Sequence, residues 1–311
     1  MPAPRPAAPP VLAVVGPTAA GKSELAVALA RRVGGDVVNA DSMQVYRGMD
    51  IGTAKLPVAE RVGVPHHLLD VLDVTEPATV ALFQRWARAV IDDCRTRGVT
   101  PIVVGGSALY IRAVLDAFRF PGTDPAVRAD LEAELAAVGS AALHARLSEH
   151  DPVAAAAILP SNARRVVRAL EVIALTGRPY TATLPGHAYA YDDVAQVGVD
   201  VPRPVLDERI AARVEAMWRA GFVEEVRRLE RAGLRRGPTA SRALGYAQVL
   251  RFLAGECTEY QAREDTVRAT RRFARRQDSW FRKDPRISWV RHDDPRRLDR
   301  AVAVAGVAGS G

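Results

Sequence analysis

The chain has 311 residues, a net charge of +7, 48% hydrophobic residues and 25% charged residues, a balance that excludes wholesale disorder and a disulfide-stapled miniprotein. This length suffices for one large hydrophobic core or two smaller ones. Lysine occurs only at Lys22, Lys55 and Lys283, so arginine carries nearly all the positive charge. The net positive charge is equally compatible with a polyanionic partner, such as nucleic acid or a phosphorylated ligand, and with a merely basic surface.

Neither the cysteines nor the chain ends indicate export or a membrane. Cys94 and Cys257 lie far apart and form no CxxC pair, so no zinc site or disulfide framework is expected and the reducing cytoplasm is the default location. Residues 1–10 are rich in proline and alanine and lack the apolar segment of a signal peptide, which predicts a disordered tail. Residues 301–311 are too few to span a bilayer and are assigned to a second tail.

Short β-branched runs alternate with helical periodicity over residues 11–120. Buried strands are predicted at residues 11–16, 36–40 and 101–106, and helices at residues 23–33, 80–98 and 107–115. Strands that alternate with helices are typical of an open parallel α/β sheet, which we predict as the core of the protein.

The pattern becomes helical throughout residues 121–190, which predicts an all-helical insertion domain. Helices are expected at residues 124–139, 140–150, 151–158 and 162–177. Asp124-Pro125 and Asp151-Pro152 are typical helix starts, with an acidic cap and proline at the first helical position. A strand at residues 194–201 then returns to the sheet, and further helices complete the core within residues 191–300.

The segment GPTAAGKS, residues 16–23, fits the pattern GxxxxGK[ST] between a predicted strand and a predicted helix. In such a P-loop, successive backbone N–H groups bind phosphate oxygens and the helix N-terminus adds partial positive charge. Lys22 would neutralise a terminal phosphate, Ser23 would offer its hydroxyl to Mg²⁺, and Thr18 would place a hydroxyl near the same oxygens. The motif predicts a phosphate site without specifying whose phosphates it binds.

Asp41 is the acidic residue nearest to this loop in the predicted topology. A P-loop ATPase usually has an Asp at the end of a neighbouring strand, but the strand at residues 101–106 ends in two glycines. Because ligands of open parallel sheets bind beyond the carboxyl ends of the strands, Asp41 should face the loop. Its carboxylate would then be a metal ligand or a general base, and the alternative is a turn or cap residue before Ser42.

Eight sequence blocks together resemble one enzyme family. They are residues 16–23, 39–55, 65–70, 105–113, 164–172, 209–226, 243–248 and 270–282. In this order they closely resemble the bacterial tRNA dimethylallyltransferases, also called isopentenyl-diphosphate:tRNA transferases, over roughly residues 11–290. The chain departs from the family pattern at residues 105–107, which read GGS instead of GGT, and at residues 244–246, which read LGY instead of IGY.

The resemblance implies a P-loop kinase-like fold and a prenyl transfer. The family holds dimethylallyl diphosphate with Mg²⁺, transfers the dimethylallyl group to N6 of adenosine 37 beside the tRNA anticodon, and releases diphosphate. Its tRNA substrates read codons that begin with U. The positions that match its diphosphate contacts are Gly16, Thr18, Ala19, Ala20, Gly21, Lys22, Ser23 and Arg213, and Ser23 also matches the metal contact.

The resemblance also implies residues that act on the tRNA acceptor. The general base of the family falls on Asp41. The positions that match its contacts to the target base are Asp41, Ser42, Met43 and Gln44, and those that match its other tRNA contacts are Ser107, Arg128, Arg164, Arg165 and Arg168. The expected partners are therefore dimethylallyl diphosphate and a tRNA anticodon stem-loop, bound by a monomer in the cytoplasm.

Two other readings stay open from the residues alone. A P-loop kinase would use ATP to modify a small acceptor, and a non-catalytic RNA-binding module would retain the loop without transfer chemistry. Four arginines share one helical face near the C-terminus and would contact RNA phosphates, pack on the core or remain solvated: Arg271, Arg272, Arg275 and Arg276. Trp280 and Phe281 are predicted to anchor the core, and the histidine pair at residues 66–67 to form a structural turn.

Overall fold

The computed structural model describes residues 8–118, 120–180 and 187–306. It divides into two compact units, of which the first comprises Met1–Leu115 with Tyr191–Gly311 and the second comprises Asp116–Ala190. The second unit starts five residues before the insertion expected at residue 121. Most of the predicted N-terminal tail, residues 1–7, and residues 307–311 of the predicted C-terminal tail lie outside the described residues.

The described part of the first unit contains a six-stranded parallel sheet. The strands are β1 (Val11–Val15), β2 (Gly35–Asn39), β3 (His66–His67), β4 (Thr100–Gly105), β5 (Val194–Asp200) and β6 (Ile287–Arg291). Their spatial order is β3-β2-β4-β1-β5-β6. This arrangement confirms the predicted parallel α/β core and places β1, β4 and β2 side by side in its centre.

Two strands were not predicted, and both lie at the sheet edges. The histidine pair read as a turn is strand β3, which is only two residues long and pairs with β2 through Val37 and Val38. Strand β6 was assigned to a helical region. Its residues Ile287 and Val290 are buried, whereas Ser288 and Arg291 are exposed, so the strand shows no simple alternation.

Helices pack on the sheet of the first unit and on one another. They are α1 (Lys22–Val33), α2 (Val80–Thr96), α3 (Ala108–Leu115), α7 (Arg203–Arg219), α8 (Phe222–Arg231), α9 (Tyr246–Leu253), α10 (Glu259–Phe281) and α11 (Arg297–Ala305). Leu25 and Leu29 of α1 pack with Leu12 and Ile102 of the central strands in one buried cluster. Full burial of each such side chain contributes about 1.5–3 kcal/mol.

Helix α11 corrects the predicted C-terminal tail. The tail was expected from residue 301, but α11 continues to Ala305. Ala301 and Ala305 lie four residues apart on one helical face and are buried against the cluster that contains Leu12. Small side chains at this spacing allow the helix to pack closely, which a search for large apolar residues overlooks. No helix in the described ranges is both long and apolar enough to cross a bilayer.

The described part of the second unit is built on helices, as its periodicity predicted. They are α4 (Pro125–His150), α5 (Pro152–Ala157) and α6 (Ala163–Thr176). Asp124 and Asp151 cap α4 and α5 by accepting backbone N–H groups of the first turn. Gly139, at the predicted helix break, has φ 82° and ψ 167°, so α4 is two helical segments joined at a kink.

A buried carboxylate joins two helices of this unit. The Glu171 side chain is completely buried and accepts hydrogen bonds from Arg128 and Arg168, the latter at 2.7 Å between Nη1 and Oε2. Arg168 also donates to the carbonyl oxygens of Pro121 and Gly122. These two arginines are therefore held in place by the fold of the unit itself.

We predict that Glu171→Ala lowers the free energy of unfolding by about 2–4 kcal/mol, because it leaves two arginines without their buried partner. The two guanidinium groups are partly exposed, which keeps the loss below that of a fully buried pair. Urea denaturation followed by circular dichroism measures it. The control is Glu132→Ala on the exposed face of α4, which should change the stability by less than about 0.5 kcal/mol. An equal effect of both substitutions would contradict the role of Glu171.

Candidate active site

The carboxyl ends of the three central strands meet at one edge of the sheet. Val15 at the end of β1 is in register with Gly105 of β4, and Asn39 at the end of β2 is in register with Val104. A side chain at Gly105 would not fit, since its Cβ would lie 2.5 Å from the carbonyl oxygen of Ala40. The missing side chain lets the segments after β1 and β2 approach each other across β4.

The P-loop connects β1 to α1 in a conformation with several residues in the left-handed region. Gly16 has φ 138° and Gly21 has φ 93°, which glycine adopts without strain, whereas Ala19 adopts φ 65°. The Lys22 ammonium folds back over the loop and donates to the Pro17 carbonyl oxygen at 2.8 Å. Helix α1 starts at Lys22, so its N-terminus lies at the loop.

The pKa of the Lys22 ammonium group is lowered by its surroundings. Burial and then the positive charge of Arg213 lower its pKa to about 8, although the carboxylate of Asp41 acts in the opposite direction. An ammonium group with such a pKa gains stability from any anion that binds beside it. The electrostatics therefore favour an anionic ligand at this position.

Arg213 reaches the P-loop from α7. Its Nη1 lies 3.5 Å from the Thr18 hydroxyl oxygen, and burial followed by repulsion from Arg209 lowers its pKa. Within the described ranges, Arg213 forms no ion pair with a carboxylate. Ile210 and Val214, its neighbours on the helix, are buried and fix the helix against the core. A second unpaired cation thus stands opposite the loop.

Asp41 follows β2 and forms a turn that leaves part of its carboxylate available. Its Oδ1 accepts the Met43 N–H at 2.8 Å, and its own N–H donates to Asn39 Oδ1 at 3.0 Å. The Asn39 amide also donates to the Leu68 carbonyl oxygen, which fixes the turn against the adjacent loop. No described residue donates to Asp41 Oδ2. The turn reading and a chemical role are therefore compatible, because each uses a different carboxylate oxygen.

Two cavities adjoin at Asp41. The first is lined by the P-loop residues Thr18, Lys22 and Ser23 together with Asp41, Gln44, Gly105, Gly106 and Arg213. The second has a volume of about 370 Å³, and its walls include Ser42, Met43, Ser107, Ile210, Val214, Met217, Leu244 and Phe273. Thr18, Asp41 and Arg213 line both cavities. A polar, cationic cavity is therefore continuous with a more apolar one.

Gln277 of α10 is a site residue that the sequence analysis did not single out. Its Oε1 accepts the Thr18 N–H at 2.9 Å and its Nε2 donates to the Gly106 carbonyl oxygen at 2.7 Å. One buried amide thus joins the P-loop to the end of β4. The block at residues 270–282 carries this glutamine among several arginines, and a single neutral residue in a basic helix gives no sequence signal of a contact with the P-loop.

The predicted tRNA contacts fall into two groups. Ser42, Met43, Gln44 and Ser107 belong to the first unit and line the cavities. The arginines of the second unit divide further: Arg128 and Arg168 bind Glu171, whereas Arg164 and Arg165 are exposed at the start of α6. The structure therefore brings the first group to the P-loop and presents part of the second as a basic surface of its own unit.

The four arginines on one face of α10 differ in their surroundings. Arg271 donates to the Asp207 carbonyl oxygen and so packs on α7, while Arg272 and Arg275 are exposed. Arg276 lines the larger cavity. The prediction for the following aromatic pair was wrong for Trp280, which is 58% exposed, because it lies on the outer face of the helix whereas Phe281 lies on the inner face.

Two lysines without a predicted role differ in environment. The buried Lys55 ammonium donates to the Tyr46 carbonyl oxygen at 3.0 Å and to Asp50 and Asp70, each at 2.6 Å. It therefore pins the loop between β2 and β3. Lys283 lies at the surface, 5.9 Å from the centre of the Trp280 ring.

A separate polar cluster surrounds Asp36 near the start of β2. Its Oδ2 lies 3.0 Å from His67 Nε2, 3.1 Å from Arg97 Nη2 and 3.7 Å from Cys94 Sγ. Burial opposes ionisation of Asp36, but the hydrogen bonds from His67 and Arg97 outweigh it and hold the pKa of the carboxyl below its usual value. Burial raises the pKa of Cys94 to about 11, which keeps the thiol protonated. The cluster is thus an internal ion pair that joins β2, β3 and α2.

Comparisons with known proteins identify a family that this chain resembles. The family model "IPP transferase" matches residues 44–284, and the model "Isopentenyl transferase" matches residues 9–76. The tRNA dimethylallyltransferase of Thermobifida fusca is 66% identical over 299 residues, which cover 94% of this chain and 93% of that relative. The corresponding protein of Nocardioides sp. is 64% identical over 302 residues, which cover 97% of both chains.

Solved structures show the same similarity. The tRNA isopentenylpyrophosphate transferase of Bacillus halodurans is 40% identical with a TM-score of 0.70, and the match covers 96% of each chain. A eukaryotic dimethylallyltransferase described as acting on tRNA is 26% identical with a TM-score of 0.82, over 96% of this chain and 77% of that one. By sequence, family models and fold, the chain belongs to the tRNA dimethylallyltransferase family.

Proposed function

We propose that the protein transfers the dimethylallyl group of dimethylallyl diphosphate to N6 of adenosine 37 in tRNA and releases diphosphate. The substrates are tRNAs that read codons beginning with U. The observation that carries the proposal is the junction of the two cavities, where Asp41 lies beside two unpaired cations. We also propose that the protein acts as a monomer in the cytoplasm.

The diphosphate of the donor would occupy the polar cavity. Successive P-loop amides, the N-terminus of α1, Lys22 and Arg213 would all direct positive charge at its oxygens. The allylic C–O bond breaks as negative charge develops on the leaving diphosphate, and fixed positive charge stabilises that change. Because Lys22 and Arg213 have no carboxylate partners among the described residues, their charge is available to the ligand.

The adenine would enter the larger cavity from the opposite side. To reach Asp41 the base must leave the stack of the anticodon loop, which RNA loops permit more readily than duplexes. The N6 amine is a weak nucleophile because its lone pair is delocalised into the ring. Asp41 Oδ2, which accepts no other hydrogen bond from the described chain, would take the proton that N6 loses as it attacks the allylic carbon.

The donor set at the P-loop fits Mg²⁺. The Ser23 hydroxyl is exposed and lines the same cavity as the Asp41 carboxylate, and Mg²⁺ binds oxygen ligands together with water and phosphate oxygens. Ser23 would hold the ion, which when bound adds positive charge beside the diphosphate. The exposed arginines Arg164 and Arg165 would contact the tRNA backbone, with a binding affinity that falls as salt increases.

The direct test is mass spectrometry of tRNA nucleosides after incubation with the protein, dimethylallyl diphosphate and Mg²⁺. We expect N6-dimethylallyladenosine in an unmodified tRNA that carries adenosine 37 and none in the same tRNA with guanosine 37. The reaction should proceed without ATP, which separates it from a kinase. If adenosine 37 stays unmodified under these conditions, the proposal is refuted.

We predict that Asp41→Asn lowers kcat by about 10²–10⁴ because the carboxamide cannot accept the N6 proton. The Asn oxygen can still accept the Met43 N–H, so the turn and both substrate affinities should be retained. Single-turnover transfer and equilibrium binding of each substrate measure the two effects. Asp73→Asn, at an exposed surface carboxylate, is the matched control with unchanged kcat. Near wild-type turnover of Asp41→Asn would remove Asp41 from the role of base.

We predict that kcat/KM for dimethylallyl diphosphate decreases above about pH 8. The pKa of Lys22 in the free protein is about 8, so the ammonium is charged below this pH and loses its charge above it. A neutral amine binds the diphosphate less well, and kcat/KM reports ionisations of the free enzyme. Lys22→Arg should abolish this alkaline limb because guanidinium stays charged, at a lower overall rate. If kcat/KM of Lys22→Arg still decreases above about pH 8 as in the wild type, another group causes the decrease.

A further inference from the structure

Glu225 of α8 is a buried acid that the proposed chemistry does not use. Its side chain is 1% exposed, and its Oε2 accepts the N–H groups of Asp50 at 3.1 Å and Ile51 at 2.8 Å. Its Oε1 accepts the Gly52 N–H at 3.2 Å and the Tyr246 hydroxyl at 2.6 Å. Four donors thus converge on one carboxylate, and no lysine or arginine of the described chain forms an ion pair with it.

A buried carboxylate is costly unless donors replace the lost water, so this arrangement requires an organised partner. Three consecutive backbone N–H groups form a concave site of the kind that binds anions, and here the anion is a side chain of the same protein. Burial raises the pKa of Tyr246, and the negative charge of Glu225 raises it further, so the phenol remains a donor. The carboxylate therefore stabilises one conformation of residues 50–52.

Packing restricts the same segment from the other side. A Cβ at Gly52 would lie 2.6 Å from both Phe222 Cζ and Tyr246 Cε2. These two rings meet edge to face, with centroids 5.0 Å apart. The backbone at Gly52 therefore rests directly on an aromatic pair from α8 and α9. A shift of the segment toward the core is sterically blocked, and a shift away from it breaks the hydrogen bonds to Glu225.

The segment continues directly into the walls of both cavities. Thr53 and Ala54 line the polar cavity and the larger one. The Thr53 carbonyl oxygen accepts the Gln44 side-chain N–H at 3.1 Å. Because the Gln44 amide nitrogen is used in this way, its Oε1 remains as the acceptor of that side chain. The position of the segment therefore determines how Gln44 is presented in the cavity.

We propose that Glu225 is a positioning residue that holds residues 50–53 and thereby orients Gln44 toward the acceptor base. This inference rests on the proposed function and on the family resemblance, which implies that Gln44 contacts the target base. Gln44 lines the polar cavity together with Asp41, at which the two cavities join. Glu225 itself touches neither substrate. It acts through the three amides and Thr53 and leaves the P-loop, Lys22 and Arg213 unaltered, so its loss should impair tRNA turnover more than diphosphate binding.

Glu225→Gln tests the proposal with little change in shape. The new NH₂ group cannot accept a hydrogen bond, so at least one of the converging donors loses its acceptor. Glu224→Gln is the matched control, because this neighbouring carboxylate is 60% exposed and pairs with Arg227 at the surface. Tyr246→Phe removes one donor and leaves the three backbone hydrogen bonds intact.

Hydrogen–deuterium exchange measures the positioning without substrates. We expect exchange in a peptide that spans residues 49–55 to accelerate by about tenfold or more in Glu225→Gln, with no change in Glu224→Gln and a smaller change in Tyr246→Phe. This readout remains valid if the proposed transfer activity is not found. Unchanged exchange in Glu225→Gln would overturn the proposal directly.

Kinetics separate positioning from general destabilisation. In Glu225→Gln we expect kcat/KM for tRNA to fall by about 10-fold to 100-fold. The Kd for inorganic diphosphate, measured by calorimetry, should stay within about threefold of wild type, since the P-loop is unaltered. Equal losses in tRNA turnover and diphosphate binding would show a merely structural role, and wild-type tRNA kinetics would overturn the proposal. Absence of transfer by the wild-type protein would instead refute the proposed function.

Discussion

Lys22 and Arg213 place two positive charges at the carboxyl edge of the sheet, where each residue is partly buried and burial lowers its pKa. No carboxylate of the described chain forms an ion pair with either group, and Asp41 compensates the charge of Lys22 only in part. Such an arrangement costs free energy in the empty protein. An anionic ligand removes that cost, so the surrounding fold must hold the cations in place until the ligand binds.

Several separated segments meet this requirement together. The parallel order β2-β4-β1 brings the segment after β2 beside the P-loop, and glycine at the end of β4 lets them approach. Gln277 then joins Thr18 to Gly106, and α7 brings Arg213 over the loop. Glu225 differs from the two cations, because this buried anion accepts hydrogen bonds only from donors of the protein itself. The fold thus satisfies the Glu225 carboxylate with internal donors and leaves the partly buried cations Lys22 and Arg213 for a ligand.

Local patterns were sufficient to predict the central strands, the P-loop and the helical insertion, because each rests on residues close together in sequence. The same patterns failed where the determining contact is distant. Strand β6 is defined by pairing with β5, about 90 residues earlier, and its five residues do not alternate in a way that would identify a strand. Gln277 lies 259 residues from Thr18, and Glu225 lies 173 residues from Gly52, so neither role could be read from spacing. Asp41 could be predicted because it follows a predicted strand of a parallel sheet, and the carboxyl ends of such strands lie on the side where the P-loop lies.

The end of β4 also bears on which chemistry the P-loop can support. Many P-loop enzymes carry a second carboxylate at the end of a neighbouring strand to hold the metal ion for phosphoryl transfer. Gly105 cannot be replaced by an acid here, since even a Cβ would collide with the Ala40 carbonyl oxygen. Asp41 is thus the acidic residue of the described chain that lines both cavities. A site with one carboxylate and two unpaired cations suits a reaction in which the diphosphate leaves and a neutral amine gives up one proton. The same type of loop that holds a transferred phosphate in a kinase can therefore hold a leaving diphosphate. The two kinds of site differ in whether the neighbouring strand ends in an acidic residue, and not in the loop itself.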